Sequence, residues 1–118
     1  MEINDPAPSN ITIEEFSKVD FRVGTVFSAE RVPKSKKLLR LQVSFGDAGS
    51  DDRQILAGIG ADHEPESLVG KQYVFVVNLP PREMMGYESR GMMLATSGPN
   101  GLVLVALGGP VPNGSRLG

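Results

Sequence analysis

Over Phe21–Ser28, Phe21, Val23, Thr25 and Phe27 alternate with Arg22, Gly24, Val26 and Ser28. This period of two predicts a strand. Gly24 inside it predicts a bulge or sharp bend of the kind a small barrel needs at its corners. Leu39, Leu41, Val43 and Phe45 repeat the pattern with Arg40 and Gln42 on the opposite face, giving a second strand. A turn over Gly46–Asp52 leads to a third strand, Arg53–Ile59. Thr12-Ile13-Glu14-Glu15 has the spacing of a capping box, so a short helix is predicted from there to about Lys18. Pro65–Gly70 reads as one helical turn ended by glycine. Tyr73–Val77 and Met92–Ser97 are the fourth and fifth strands, and Leu102–Leu107 is a sixth after the Gly98-Pro99-Asn100-Gly101 turn. The pattern is mostly β and predicts a small barrel with short helices. The surplus sixth strand, if it leaves an edge exposed, invites pairing with a second chain.

Between the fourth and fifth strands the pattern breaks. Asn78–Gly91 holds Pro80 and Pro81, which exclude a central strand or helix interior there and predict a stiff surface connection. Loops fixed by a rigid scaffold are common seats of binding groups. Arg82 and Arg90 can pair with phosphate, Tyr87 can stack on a base, and Asn78 and Ser89 can hydrogen-bond base or sugar. Met85 or Met93 taken singly is equally a core gap-filler. Asn78 has a structural alternative, bracing the loop through local hydrogen bonds.

Charge sharpens the reading. The net charge of −2 points away from nucleic acid until the charges are placed. Residues 31–40 (RVPKSKKLLR) hold Arg31, Lys34, Lys36, Lys37 and Arg40 with no acid, whereas residues 46–66 hold six acids against Arg53. A run this short can merely keep a hairpin soluble, but an anionic ligand meets the local field rather than the net charge.

Composition excludes more than it assigns. The 118 residues make one domain by length, and there are no cysteines, which removes disulfides and thiolate metal sites and permits a reducing compartment. MEINDPAPSN lacks an apolar core segment, so it is expected to be a flexible tail over residues 1–10 rather than a signal peptide or membrane anchor. His63 is the only histidine and sits in an acidic stretch, where a solvated loop is expected; a zinc site needs more ligands. Asp47, Asp51 and Asp52 depart from the calcium-loop spacing, and Gly58-Ile59-Gly60 and Gly108-Gly109-Pro110 lack the context of a phosphate-binding loop. No enzyme activity, metal or cofactor is expected.

Asn78-Leu79, Pro81-Arg82, Met85-Gly86, Glu88-Ser89, Gly91-Met92 and Leu94-Ala95 together resemble the tRNA-binding domain appended to methionyl-tRNA synthetases. The family also includes free-standing tRNA-binding proteins, CsaA-type export chaperones and phenylalanyl-tRNA synthetase beta chains. The likeness extends upstream through Asp20-Phe21-Arg22-Val23-Gly24, Pro33, Lys37-Leu38, Arg53-Gln54-Ile55, Gly58-Ile59 and Gly70, and covers roughly residues 11–117. It implies an OB-fold over residues 11–118, a five-stranded Greek-key barrel with short helices and terminal extensions. It further implies a cytoplasmic, structure-selective tRNA-binding protein without catalysis, a homodimer when free-standing, or an accessory of methionyl-tRNA synthetase. Carried over residue by residue, the tRNA site is Lys37, Arg40, Asn78, Arg82, Met85, Ser89 and Met92, with Lys36, Arg53 and Tyr87 behind them. Lys37, Arg40 and Arg82 would hold phosphate, and Met85 would pack on an unstacked base. Two positions depart from the family pattern: Lys36 stands where aspartate often precedes the Lys-Leu pair, and Pro80 where lysine or alanine is usual. A second reading is a CsaA-type peptide-binding chaperone, with Met84, Met85, Met92 and Met93 as a plastic apolar groove. Asn78-Leu79 and Met85–Ser89 are more similar to the synthetase-appended branch.

Overall fold

The computed structural model describes residues 9–46 and 51–118. Residues 1–8 of the expected tail and 47–50 of the expected turn lie outside the described residues. Helix α1, Ile13–Ser17, starts at the predicted capping box: Thr12 Oγ1 accepts from the Glu15 N–H, and the Glu15 carboxylate accepts from the Thr12 N–H. At five residues it buries no side chain, so its geometry depends on this cap and on Arg116, which donates to the Ser17 carbonyl at 2.9 Å.

The barrel strands are β1 (Phe21–Arg31), β2 (Leu39–Ser44), β3 (Asp52–Ala57) and β4 (Gln72–Val76). A hairpin follows, β5 (Arg82–Met84) and β6 (Tyr87–Ser89), then β7 (Met92–Met93), the pair β8 (Ala95–Gly98) and β9 (Gly101–Leu104), and β10 (Arg116–Leu117). All pairings are antiparallel, and the main sheet runs β3-β2-β1-β4-β7, with β10 on the start of β1. The ends of this order approach each other. The Arg90 N–H donates to the Gln54 carbonyl at 2.9 Å, and the Leu56 N–H to Ser89 Oγ at 2.9 Å. The result is a nearly closed five-stranded barrel of OB type. Val26, Leu39, Leu41, Val43, Phe45, Ile55 and Phe75 fill it, with Phe45 and Phe75 packed edge to face at 5.3 Å.

Two expectations are corrected. The irregularity in β1 falls at Phe27, between the Val26↔Val43 and Ser28↔Gln42 pairs, while Gly24 stays in register with Tyr73. Glycine is needed at 24 for space: a Cβ there would lie 2.5 Å from Val43 and 2.7 Å from Phe45. His63 is half-buried, and its Nε2 hydrogen-bonds to the Leu102 carbonyl at 2.7 Å while Asp62 accepts from the Leu102 N–H at 2.9 Å. These two side chains clamp the β8–β9 pair onto the loop after β3, a long-range tie with no local sequence signal. The sixth strand, expected over Leu102–Leu107, is the shorter β9 (Gly101–Leu104), paired with β8. Leu102 and Leu104 pack on the core, whereas Val103 is exposed.

Candidate nucleic-acid interface

The segment expected to be a stiff connection is a β-hairpin. Met85 (φ 53°) and Gly86 (φ 84°) form its two-residue turn, and positive φ at both positions is what a type I′ turn demands. Met84 and Tyr87 pair across it and pack with buried Val32, Leu38 and Leu56. Glu83 faces Glu88 on the other side of the hairpin, so its acids turn away from the face carrying Arg82 and Met84. Met85, 54% exposed, sits at the tip.

Opposite the hairpin lies the basic run. Pro33-Lys34 is the centre of a turn closed by the Ser35 N–H donating to the Val32 carbonyl, and Lys34 takes φ 69°. Ser35 Oγ accepts from the Leu38 N–H, and Gly60 N–H donates to the Lys37 carbonyl, fixing the loop from both ends. Arg31 is used up by Glu64 at 2.7 Å and by the Gly60 carbonyl. Arg40 is paired with Glu30 and lies 4.8 Å over the Tyr87 ring, so one face of that ring is already occupied. Lys34, Lys36, Lys37, Arg82 and Arg90 are exposed and make no ion pair among the described residues.

Lys37 and Arg82 both line a cleft of about 360 Å³. Leu38, Leu56, Leu79, Met84 and Met92 give it an apolar lining, and among the described residues no carboxylate lines it. Of the residues singled out in the sequence, Lys37, Arg82, Ser89 and Met92 line this cleft, Lys36 adjoins it in the chain, and Arg40 and Tyr87 stack together beside it. Met85 stands at the hairpin tip outside it.

Three of the expected site residues, Ser89 at the cleft among them, are engaged in holding the frame. Ser89, 3% exposed, accepts from the Leu56 N–H and donates to the Gly91 carbonyl at 3.0 Å, so both functions of its hydroxyl are taken. Asn78 Oδ1 accepts from the Asp20 N–H at 2.9 Å and Nδ2 donates to the Lys18 carbonyl at 2.6 Å, which ties the start of the loop to the end of α1. Arg53 donates to the Val77 carbonyl at 2.6 Å and pairs with Asp51. Asp20 in turn binds Arg22 through both oxygens, at 2.7 and 3.2 Å, with Arg116 nearby; the Arg22 hydrogen bond holds the Asp20 carboxyl below its ordinary pKa. Sequence reasoning left Lys34, Gly58 and Leu79 without a role. The apolar Leu79 beside two prolines was the available signal for a cleft wall.

The family model described as "Putative tRNA binding domain" matches residues 21–116. The chain belongs to this tRNA-binding domain family. Among curated relatives, the methionine–tRNA ligase of Thermotoga maritima is 48% identical over 107 residues, and that of Methanospirillum hungatei 49% over 112. These matches cover 91% and 95% of the chain and 16% of each ligase, so the chain spans about one-sixth of those enzymes' length. Among solved structures, a MetRS related protein from Pyrococcus horikoshii superposes with TM-score 0.84 at 37% identity, covering 93% of this chain and 99% of that one. The chaperone CsaA from Bacillus anthracis gives 0.80 at 33%, covering 93% and 100%. No helix among the described residues is long and apolar enough to cross a membrane.

Proposed function

We propose that this tRNA-binding domain is a non-catalytic, structure-selective tRNA-binding module of the cytoplasm, acting free-standing or beside a methionyl-tRNA synthetase. The observation that carries the proposal is that Lys37 and Arg82 line one cleft with no carboxylate among its described lining residues, within an acidic chain. Lys36, Lys37 and Arg82 hold phosphate, with Lys34 adding charge to the same face and Arg40 reaching it through Tyr87. Met85 and Met92 supply apolar contact, and Asn78, Arg53 and Ser89 keep the hairpin in place. Mobility shift with unfractionated tRNA, against duplex DNA and an unfolded peptide, tests it: tRNA alone should shift at physiological salt. Selective retention of the peptide would support the CsaA-type alternative, which the methionine walls of the cleft favour.

Assembly as a homodimer belongs to the same proposal. Ile13, 75% exposed, and Phe16 and Val19 line an apolar depression of about 410 Å³ with Leu117. Exposed apolar surface of this kind is stabilised by a partner. A second copy would bring two basic faces to one folded RNA. Sedimentation at micromolar protein showing only monomer would overturn it.

A further inference from the structure

Resting on the tRNA-binding reading, we infer that the cleft between Lys37 and Arg82 takes one unstacked nucleotide of the bound RNA. The base enters between Leu79 and Met92 over Gly58, and its phosphate lies between the two cations. At about 360 Å³ the cleft is within the range of small-ligand sites, which begins near 300 Å³. Its walls are exposed and apolar, with Met92 at 47% and Leu79 at 45%, so they gain from being covered by a flat apolar face. Thioether sulfur makes favourable contacts with aromatic rings, and single-stranded RNA is read by splaying bases onto such surfaces. An apolar peptide side chain would use the walls but would leave both cations without an anion; a nucleotide satisfies both.

Gly58 is an independent observation. It lines the cleft, its φ lies outside the left-handed region, and a Cβ added to it would meet no protein atom within 4 Å. Folding therefore places no steric demand for glycine here, and glycine carries an entropic cost in the folded chain. What the missing side chain leaves is open space in the cleft lining, where a ligand can approach the backbone closely.

The test uses Gly58→Leu, which adds a bulky side chain to the cleft lining, and Gly58→Ala as the milder variant. Probes are unfractionated tRNA and two 2-aminopurine-labelled RNAs, one labelled in a hairpin loop and one at a single-stranded 3′ end. Wild type should change the emission of at least one label, which identifies whether a loop or a free end supplies the nucleotide. Gly58→Leu should melt no lower than wild type, abolish that change and weaken tRNA binding by about tenfold to a hundredfold, the equivalent of one lost base contact. Gly58→Ala should fall between the two, and it carries the test if Gly58→Leu fails to fold. Wild-type tRNA affinity in a folded Gly58→Leu, or in Gly58→Ala when only that variant folds, overturns the inference and leaves the tRNA reading intact. Failure of wild type to bind tRNA overturns both. Loss of an apolar peptide with unchanged tRNA affinity in Gly58→Leu overturns the inference and assigns the cleft to peptide.

Discussion

Ser89→Ala separates a reader of RNA from a part of the barrel. Ser89 is 3% exposed, and its hydroxyl accepts from the Leu56 N–H at 2.9 Å and donates to the Gly91 carbonyl at 3.0 Å. Alanine keeps the shape and removes both bonds. The Gly91 carbonyl is half-buried and can recruit water, but the buried β3 edge loses its acceptor, at a cost of about 1–3 kcal/mol. For a domain near this size, each kcal/mol lowers the melting temperature by roughly 4–8 °C, so a total fall of roughly 4–24 °C is expected. Urea unfolding followed by circular dichroism should show a lower midpoint with an unchanged slope. Titration with tRNA, at a temperature where both proteins are folded, should show affinity within about a factor of three, since no RNA contact is removed. Wild-type stability with lost tRNA binding would refute the reasoning and make the hydroxyl a direct ligand of RNA.

Asn78→Ala should lower stability by about 1–2 kcal/mol, because it removes two hydrogen bonds linking the loop to residues 18–20, whereas Arg82→Ala should leave folding within about 0.5 kcal/mol and weaken tRNA binding by about 1–3 kcal/mol; paired melting and mobility-shift curves read both. The Asp20 carboxyl, lowered in the folded state by Arg22, contributes stability that is complete above its unfolded pKa and lost as pH falls through the lower folded value. The stability difference between wild type and Asp20→Asn should thus shrink as pH drops below about 4, and a gap independent of pH would contradict the ion-pair account. Lys34→Asn relieves a lysine held at φ 69° while removing an exposed positive charge, so on the proposed reading its melting temperature should rise or hold as its tRNA affinity falls; a fall in both would show that the turn needs the lysine side chain.

Alternation made the barrel legible: each run that repeats with period two became a strand, and the Thr12–Glu15 box started the helix where the spacing put it. The β5–β6 hairpin was hidden because its turn uses Met85 where asparagine, aspartate or glycine usually signals type I′, and because two prolines precede it. The charges of Lys37 and Arg82 could be read singly, but their sharing of one cleft depends on closure of β3 against residues 89–91, a contact between segments over 30 residues apart. Asn78 and Ser89 stand in the same motif as Arg82, with Arg53 upstream on β3, and sequence spacing carries no information on which polar side chains turn inward. Only the hydrogen-bond geometry distinguishes them. The same limit hid His63, whose partner Leu102 lies 39 residues away.

The most direct test of the central claim is tRNA affinity measured across salt concentration for wild type and for Lys37→Ala/Arg82→Ala. With about four phosphates neutralised and a coefficient of roughly 0.7 each, log affinity against log salt should have a slope of about −3 for wild type, rising to about −1.5 for the double variant. An affinity flat in salt, or a slope that the double substitution leaves unchanged, would contradict the placement of tRNA on the Lys37–Arg82 face.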